Sequence, residues 1–359
     1  MSTTGQRVNV LQTWIRTHGV DALLLTHLPD IRWAVGFTGS HAYLLVTSAR
    51  AWLLTDGRYT TQAEQEVQGA EVQIVSGDVF AHIKEAGYLA ELTHGCFQAE
   101  HLTVSAYRRL TEALEHMVWE GVEGLTHTWR GRKAPDELAR LRRAQELTDR
   151  VFQELLGWIR PGYTEKEVAA EIVYRLLCYG AERMSFEPLV AAGSRSALPH
   201  ARPSTRVLRE GEPLLLDFGC VYEGYASDMT RMVYLGKAPE AYREHYRCVL
   251  QAQEAAIASA QADIPVKEVD MQAREHLKTC GLDAYFTHSL GHGVGLEIHE
   301  WPRVSYQSED KLIEGAVITV EPGIYLPGKY GIRIEDMLHI TATGSENLTS
   351  STKELIELT

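Results

Sequence analysis

The spacing of apolar residues changes along this chain, and the change divides it. Over residues 1 to about 130, short apolar runs trade places with helical periods. VDALLLT, AYLLVTS, RAWLLTD, EVQIVSG and HGCFQAE read as strands, dense in aliphatic and β-branched residues. TTQAEQEV and DVFAHIKEAGYLAEL read as helices. Such alternation predicts a smaller α/β domain over 1–130. No cluster of catalytic residue types stands in it.

Beyond residue 130 the periods lengthen. Leu138, Leu141, Ala144, Leu147, Val151, Leu155 and Ile159 recur at three- and four-residue steps. They predict one long amphipathic helix, halted by Pro161-Gly162. Thr164 and Glu167 form a T-x-x-E capping box, which opens a helix running to about Cys178. A helix pair is expected near 238–262 and 266–280, with Pro239 near the first start and Pro265 beyond the first end. From Phe186 onward the rest is strand-rich. The expected fold of 131–359 is α+β, with helices segregated from a largely antiparallel sheet. A duplication within it is too faint to read.

Composition adds limits. A chain of 359 residues exceeds one ordinary core and fits two domains. The net charge of −13 argues against a nucleic-acid partner, which would need a basic face. The five cysteines are dispersed, as reduced thiols of a cytoplasmic protein would be. MSTTGQRVNVLQTWIRTHG lacks the form of a secretory signal, and no apolar run approaches the ~20 residues of a membrane span. The Arg140, Arg142 and Arg143 cluster reads as a solvated helix face.

The candidate chemistry lies in five residues. Asp217 stands in LLLDFG, Asp228 in YASDMTR, His292 in HSLGHGVGLEIHE, Glu321 in TVEPG and Glu335 in IRIED. Four carboxylates and one imidazole suit two divalent ions sharing bridging oxygens, and such a pair implies hydrolysis. Glu223-Gly224 is a plausible two-residue hairpin turn. That register sets Tyr222 against Tyr225, Gly219 against Asp228, and Asp217 against Thr230. Asp217 and Asp228 then share a face as diagonal neighbours, and a cation between them would remove their repulsion. Gly219 would leave room for the ion. AVITVEP reads as a strand reaching Glu321, and GIRIEDMLHI as one strand on which Arg333 and Glu335 share a face. His288, His292 and His299 fall close together among glycines, which allow close backbone approach. His200 lies in the proline-punctuated loop SALPHARPS.

The string DFG…SDMTR…GHGVGL…HE.P…EPG…IRIED resembles the metallopeptidase family that includes methionine aminopeptidase, aminopeptidase P and prolidase. The resemblance implies a pita-bread catalytic domain over 131–359. VDALLLTHLPDIRWAVGFTGS and AWLLTDGRYTTQAEQE resemble the creatinase-type N-terminal domain of the Xaa-Pro branch, which methionine aminopeptidases lack. By that likeness Asp217 would chelate one metal, Asp228 and Glu335 would bridge both, and His292 and Glu321 would complete the ligand set of the second metal. His288 and His299 would contact substrate and intermediate, with His200 beside them. Arg333 would buttress a bridging aspartate, Arg303 would bind a substrate carboxylate, and Phe186 and Ile298 would line the proline pocket. The implied reaction is hydrolysis of an Xaa-Pro bond by a metal-bridging hydroxide, with Glu321 shuttling the proton. Manganese is the first choice of ion, with cobalt or zinc next. Substrate length turns on Arg303, Arg202 and Lys329: a dipeptide with C-terminal proline is favoured, and a longer peptide of the aminopeptidase P kind is the alternative. A metal-free binding module is the remote one. A homodimer is also implied.

Overall fold

The structure, a computed structural model, describes residues 4–359. The chain divides into two compact units, residues 1–130 and 131–359.

The first unit runs α1 (Thr4–His18), β1 (Ala22–Leu25), α2 (Leu28–Val35), β2 (Tyr43–Thr47), β3 (Ala51–Thr55), α3 (Thr60–Glu66), β4 (Glu71–Ile74), α4 (Val79–Glu85), β5 (His94–Gln98), α5 (Val104–Ala113) and β6 (Val118–Val122), with α6 (His127–Gly131) at its end. One mixed sheet, ordered β4-β3-β2-β1-β5-β6, forms its centre. Ala22, Leu24, Leu45, Trp52 and Leu54 pack with Phe80, Ile83 and Leu110 from the helices. The helix expected over 78–92 stops early. Gly87 takes a φ of 67°, and the residues after Glu85 form turns instead.

The second unit runs α7 (Pro135–Leu156), α8 (Glu165–Cys178), β7 (Arg183–Met184), β8 (Leu189–Ala192), β9 (Glu212–Phe218), β10 (Cys220–Tyr222), β11 (Tyr225–Ala226) and β12 (Met229–Leu235). Then follow α9 (Glu240–Ser259), α10 (Val266–Thr279), β13 (Gly291–Gly293), β14 (Glu300–Val304), β15 (Val317–Val320), β16 (Gly323–Leu326), β17 (Tyr330–Arg333), β18 (Asp336–Thr341), β19 (Gly344–Asn347) and β20 (Ile356–Leu358). The order is two helices then a set of strands, twice over. The internal repeat too faint to read in the sequence is thus visible in the architecture.

Caps explain the helix ends. Thr164 Oγ1 accepts from Glu167 N at 3.2 Å, and Glu167 Oε2 accepts from Thr164 N at 2.7 Å. This reciprocal box opens α8. The long helix α7 opens with Pro135 and closes at Leu156 with Gly157 as its cap, ahead of Pro161-Gly162.

Two sheets, β20-β12-β9-β8 and β14-β13-β15-β18-β19, carry the second unit. Leu214, Leu216, Val233 and Leu235 pack with α7 and α8. Ile318, Val320, Leu338 and Ile340 pack with α9 and α10. Each such side chain contributes roughly 1.5–3 kcal/mol on burial. Because strand side chains alternate, the residues between these positions point to the opposite face. Asp217 and Thr230 sit on that face of the first sheet, and Thr319 on that of the second.

Candidate metal centre

Two bent hairpins supply the carboxylates. In the first, Glu223 and Gly224 take φ of 45° and 85°, the signs a primed two-residue turn requires. Tyr222 faces Tyr225, and Asp217 faces Thr230, as the turn predicts. The hairpin changes sheet at Gly219 and Asp228, between β10–β11 and β9–β12. Gly219 serves this bend rather than an ion. A Cβ there would collide with the Ser227 carbonyl and the Ser185 hydroxyl, so the room expected for a metal is filled by backbone.

The second hairpin bends the same way. Gly323 faces Arg333 in β16–β17, and Val320 faces Asp336 in β15–β18. The two registers are continuous, which sets Glu321 opposite Glu335 at the bend. GIRIEDMLHI is therefore two strands rather than one, with Glu335 at the joint.

His292 comes from β13. It faces Arg303 of β14, and its backbone N–H donates to Thr319 Oγ1 at 3.1 Å. Its Nδ1 lies 3.1 Å from the Gly293 carbonyl, so that nitrogen carries the proton and Nε2 keeps a lone pair. Nε2 stands 3.4 Å from Glu321 Oε1 and 3.6 Å from Asp228 Oδ2. A lone pair facing carboxylate oxygens at that spacing is a set of donors that could converge on an ion. Ligand atoms of Asp228, His292 and Glu335 all lie within 4.8 Å of one another. Asp217 Oδ1 is buried without a hydrogen-bond partner among the described residues. Each of these features fits a cation, and the chemistry of the set fits two.

Electrostatics agree. Burial, then Glu335, Asp217 and Glu321, push the Asp228 carboxyl well above the usual range. Burial and Glu321 do the same to Glu335. Burial pushes Glu321 up to about 8 and draws His292 down to about 4. Bare carboxylates crowded in this way cannot all ionise without a counter-charge.

Arg333 is buried rather than paired on the surface. It contacts Asp217 Oδ2 and donates through Nε to Thr230 Oγ1 at 2.9 Å. Thr230 in turn donates to Glu335 Oε2 at 2.7 Å. The expected buttress therefore acts on Asp217, the aspartate assigned to one ion, and its hydrogen bonds extend to Glu335 through Thr230. Sequence reasoning missed two supports. Tyr325 accepts from Arg333 at 2.7 Å and donates to His288 Nε2 at 2.9 Å. Arg231, fully buried behind the site, pairs with Asp336 at 2.7 Å and also donates to the Glu335 carbonyl.

The remaining expected residues surround this cluster to different degrees. The His299 ring lies 4.3 Å from that of His292, edge to face. Burial holds His288 down to about 4, and a charge on His200 bears on Asp217, His288 and His299. Arg303 is exposed and donates to Ser289 Oγ at 3.1 Å. Phe186 and Ile298 are half-buried in loops before β8 and β14. Arg202 is exposed beside Glu187. Lys329 lies at the turn of β16–β17, the end away from Arg333, so a site-side role does not suit it.

Residues 139–342 match metallopeptidase family M24, and residues 7–131 match the creatinase/prolidase N-terminal domain. The chain belongs to metallopeptidase family M24. It is a peptidase of the prolidase and aminopeptidase P branch, with a creatinase-type domain ahead of a pita-bread catalytic domain. Among M24 relatives, the Xaa-Pro dipeptidase of Pyrococcus horikoshii is 34% identical over 363 residues, covering 99% of this chain and 100% of that one. The solved Xaa-Pro dipeptidase of Bacillus anthracis matches with a TM-score of 0.95 at 36% identity, covering 99% and 100%. An X-Pro aminopeptidase of Thermotoga maritima MSB8 matches with a TM-score of 0.89 at 37% identity, covering 95% and 99%. Membership of M24 implies divalent metal ions, and the donor set described above fits them. No helix among the described residues is long and apolar enough to cross a membrane.

Proposed function

We propose that this M24 chain hydrolyses the peptide bond preceding proline, with Xaa-Pro dipeptides as its preferred substrates. The relatives named Xaa-Pro dipeptidase support the bond. One observation carries the length preference: exposed Arg303 faces His292 across β13–β14, one strand away from a ligand. A dipeptide's terminal carboxylate needs such a cation next to the scissile bond.

Asp217 would hold one ion, Asp228 and Glu335 both, and His292 with Glu321 the other. Held by these residues, two divalent ions would supply a water of pKa lowered toward about 7 and a polarised scissile carbonyl. Glu321 receives the proton of the attacking water and returns it to the proline nitrogen, which has no hydrogen of its own. His299 donates to the developing oxyanion, a contribution on the order of 3 kcal/mol. His288 and His200 orient the substrate around that nitrogen. Phe186 and Ile298 cover the proline ring. Arg333 aims Asp217 and opposes the upward push that burial exerts on its carboxyl. The oxygen-rich donor set favours manganese over zinc, with cobalt possible. Five free thiols fit a reducing cytoplasm. A homodimer follows from the family likeness, and sedimentation at working concentration tests it.

Comparing Ala-Pro with Ala-Pro-Ala decides the length. Rapid cleavage of the tripeptide beside a resistant dipeptide would overturn the dipeptide reading and favour the activity named for the Thermotoga relative. Arg303→Ala should raise KM for dipeptides more than for tripeptides. Equal effects would remove the carboxylate role.

A further inference from the structure

In each half of the catalytic unit, a buried carboxylate on the second helix holds the loop that carries a substrate-side histidine. Asp270, within α10, is fully buried. Its Oδ2 accepts from Leu290 N at 2.9 Å, and its Oδ1 from Arg274 Nε at 2.5 Å. Arg274 also donates to the carbonyls of Phe286 at 3.1 Å and His288 at 2.6 Å. Its guanidinium lies 4.3 Å from the Phe286 ring centroid. Three backbone groups, two residues apart, are thus fixed to one helical turn with His288 at their centre. The Leu290 carbonyl then accepts from Glu321 N at 2.8 Å.

Glu165, the first residue of α8, is equally buried. It accepts from Ala192 N at 2.9 Å, Ser204 N at 2.9 Å and Ser204 Oγ at 2.6 Å. Arg195 Nε lies 3.0 Å from Glu165 Oε2 and donates onward through its other nitrogen to the Arg202 carbonyl at 2.6 Å. The segment between Ala192 and Ser204, which carries His200, is closed at its base by one side chain.

Neither carboxylate hydrogen-bonds a ligand side chain among the described residues. A buried ion pair is a poor source of stability compared with apolar packing of the same volume. Fixing the geometry of a catalytic group is a better reason to keep one. We propose that Asp270 with Arg274 positions His288, and that Glu165 with Arg195 positions His200, each half setting its own histidine. This rests on the histidine roles given above.

The test is a crossed double-mutant cycle on the metal-loaded enzyme. Asp270→Asn and Glu165→Gln keep side-chain shape and remove the charge. Each should lower kcat by about 10- to 100-fold, with a smaller change in KM. On a His288→Ala background, Asp270→Asn should add no more than about twofold, while keeping its full effect on His200→Ala. Glu165→Gln should do the reverse. Full multiplicative losses on both backgrounds would mean a general structural defect and overturn the proposal. Arg274→Lys, which keeps the charge but loses the planar fork, should give the Asp270→Asn pattern more weakly, and it replaces that variant if Asp270→Asn does not fold. Amide hydrogen exchange supplies a readout without substrate. Asp270→Asn should speed exchange over 286–290 and spare 192–204, and Glu165→Gln the opposite. Should the wild type cleave no Xaa-Pro substrate, the functional reading fails, and the exchange pattern still judges the positioning. Unchanged exchange in both segments would overturn it.

Discussion

The two bent hairpins are built alike and charged differently. In the first, each aspartate faces an uncharged residue: Asp217 faces Thr230, and by the same register Asp228 faces Gly219. In the second, two glutamates face each other at the bend, and Arg333 stands two residues before Glu335. Among the described residues, the cation that contacts a ligand's carboxylate is Arg333, which comes from the second hairpin and acts on the first, while Arg231 of the first reaches the backbone carbonyl of Glu335 in the second. The repeated scaffold therefore supplies symmetric positions, while the charge balance is shared between halves. Neither half holds a compensated set by itself.

The largest test removes one carboxylate from each hairpin. Asp228→Asn and Glu335→Gln should both abolish turnover with the fold retained, measured by circular dichroism and metal content beside activity. Near-full turnover in either variant would end the equivalence of the hairpins. After chelation, each variant should also melt higher than chelated wild type, because a repelling charge has gone.

Arg333→Ala separates the halves more finely. It leaves Asp217 buried without its partner, which costs about 3–5 kcal/mol in the metal-free protein. In the loaded enzyme the ions replace part of that lost charge. The stability loss, read from urea midpoints, should therefore be smaller with metal than without. Equal losses would mean that Asp217 faces no ion.

Gly219→Ala probes the first bend alone. The added methyl meets the Ser227 carbonyl, and destabilisation of about 1–3 kcal/mol is expected. A neutral outcome would show that the hairpin can open there.

The smallest effect is a pH slope in the chelated protein. Glu321 is raised to about 8, so the stability it permits is full below its unfolded value near 4.5 and is lost as pH climbs toward 8. His288 and His292, held down to about 4, act in the opposite sense, losing stability as pH falls from about 6.5 toward 4. Between pH 6.5 and 8 only the carboxylate effect remains. The melting temperature of chelated enzyme should fall across that window, and metal should flatten the slope.

Much of this site could be read from the sequence because turn chemistry is local. Glu223-Gly224 fixes its hairpin, and parity then brings Asp217 and Asp228 to one face without knowledge of the sheet. The second bend was illegible for a related reason. Its register runs unbroken through Glu335, so apolar alternation in GIRIEDMLHI looks like one strand. Tyr325 carries no local signal, since an aromatic residue between Ile324 and Leu326 reads as core. Its meaning comes from Arg333 across the hairpin and His288 far upstream. Arg231 and Asp336 lie inside SDMTR and IRIED, yet their pairing is between strands and nothing in either motif announces it.

Unbroken register also bears on how the gene can vary in length. An odd insertion in either arm of the first hairpin, between Asp217 and Glu223 or between Tyr225 and Asp228, would turn one aspartate toward the opposite face. The same residue added at Glu223-Gly224, or in the Pro327-Gly328-Lys329 turn, would leave every ligand facing as before. Length differences among natural M24 sequences of this branch should therefore collect at those two tips and be nearly absent from the arms.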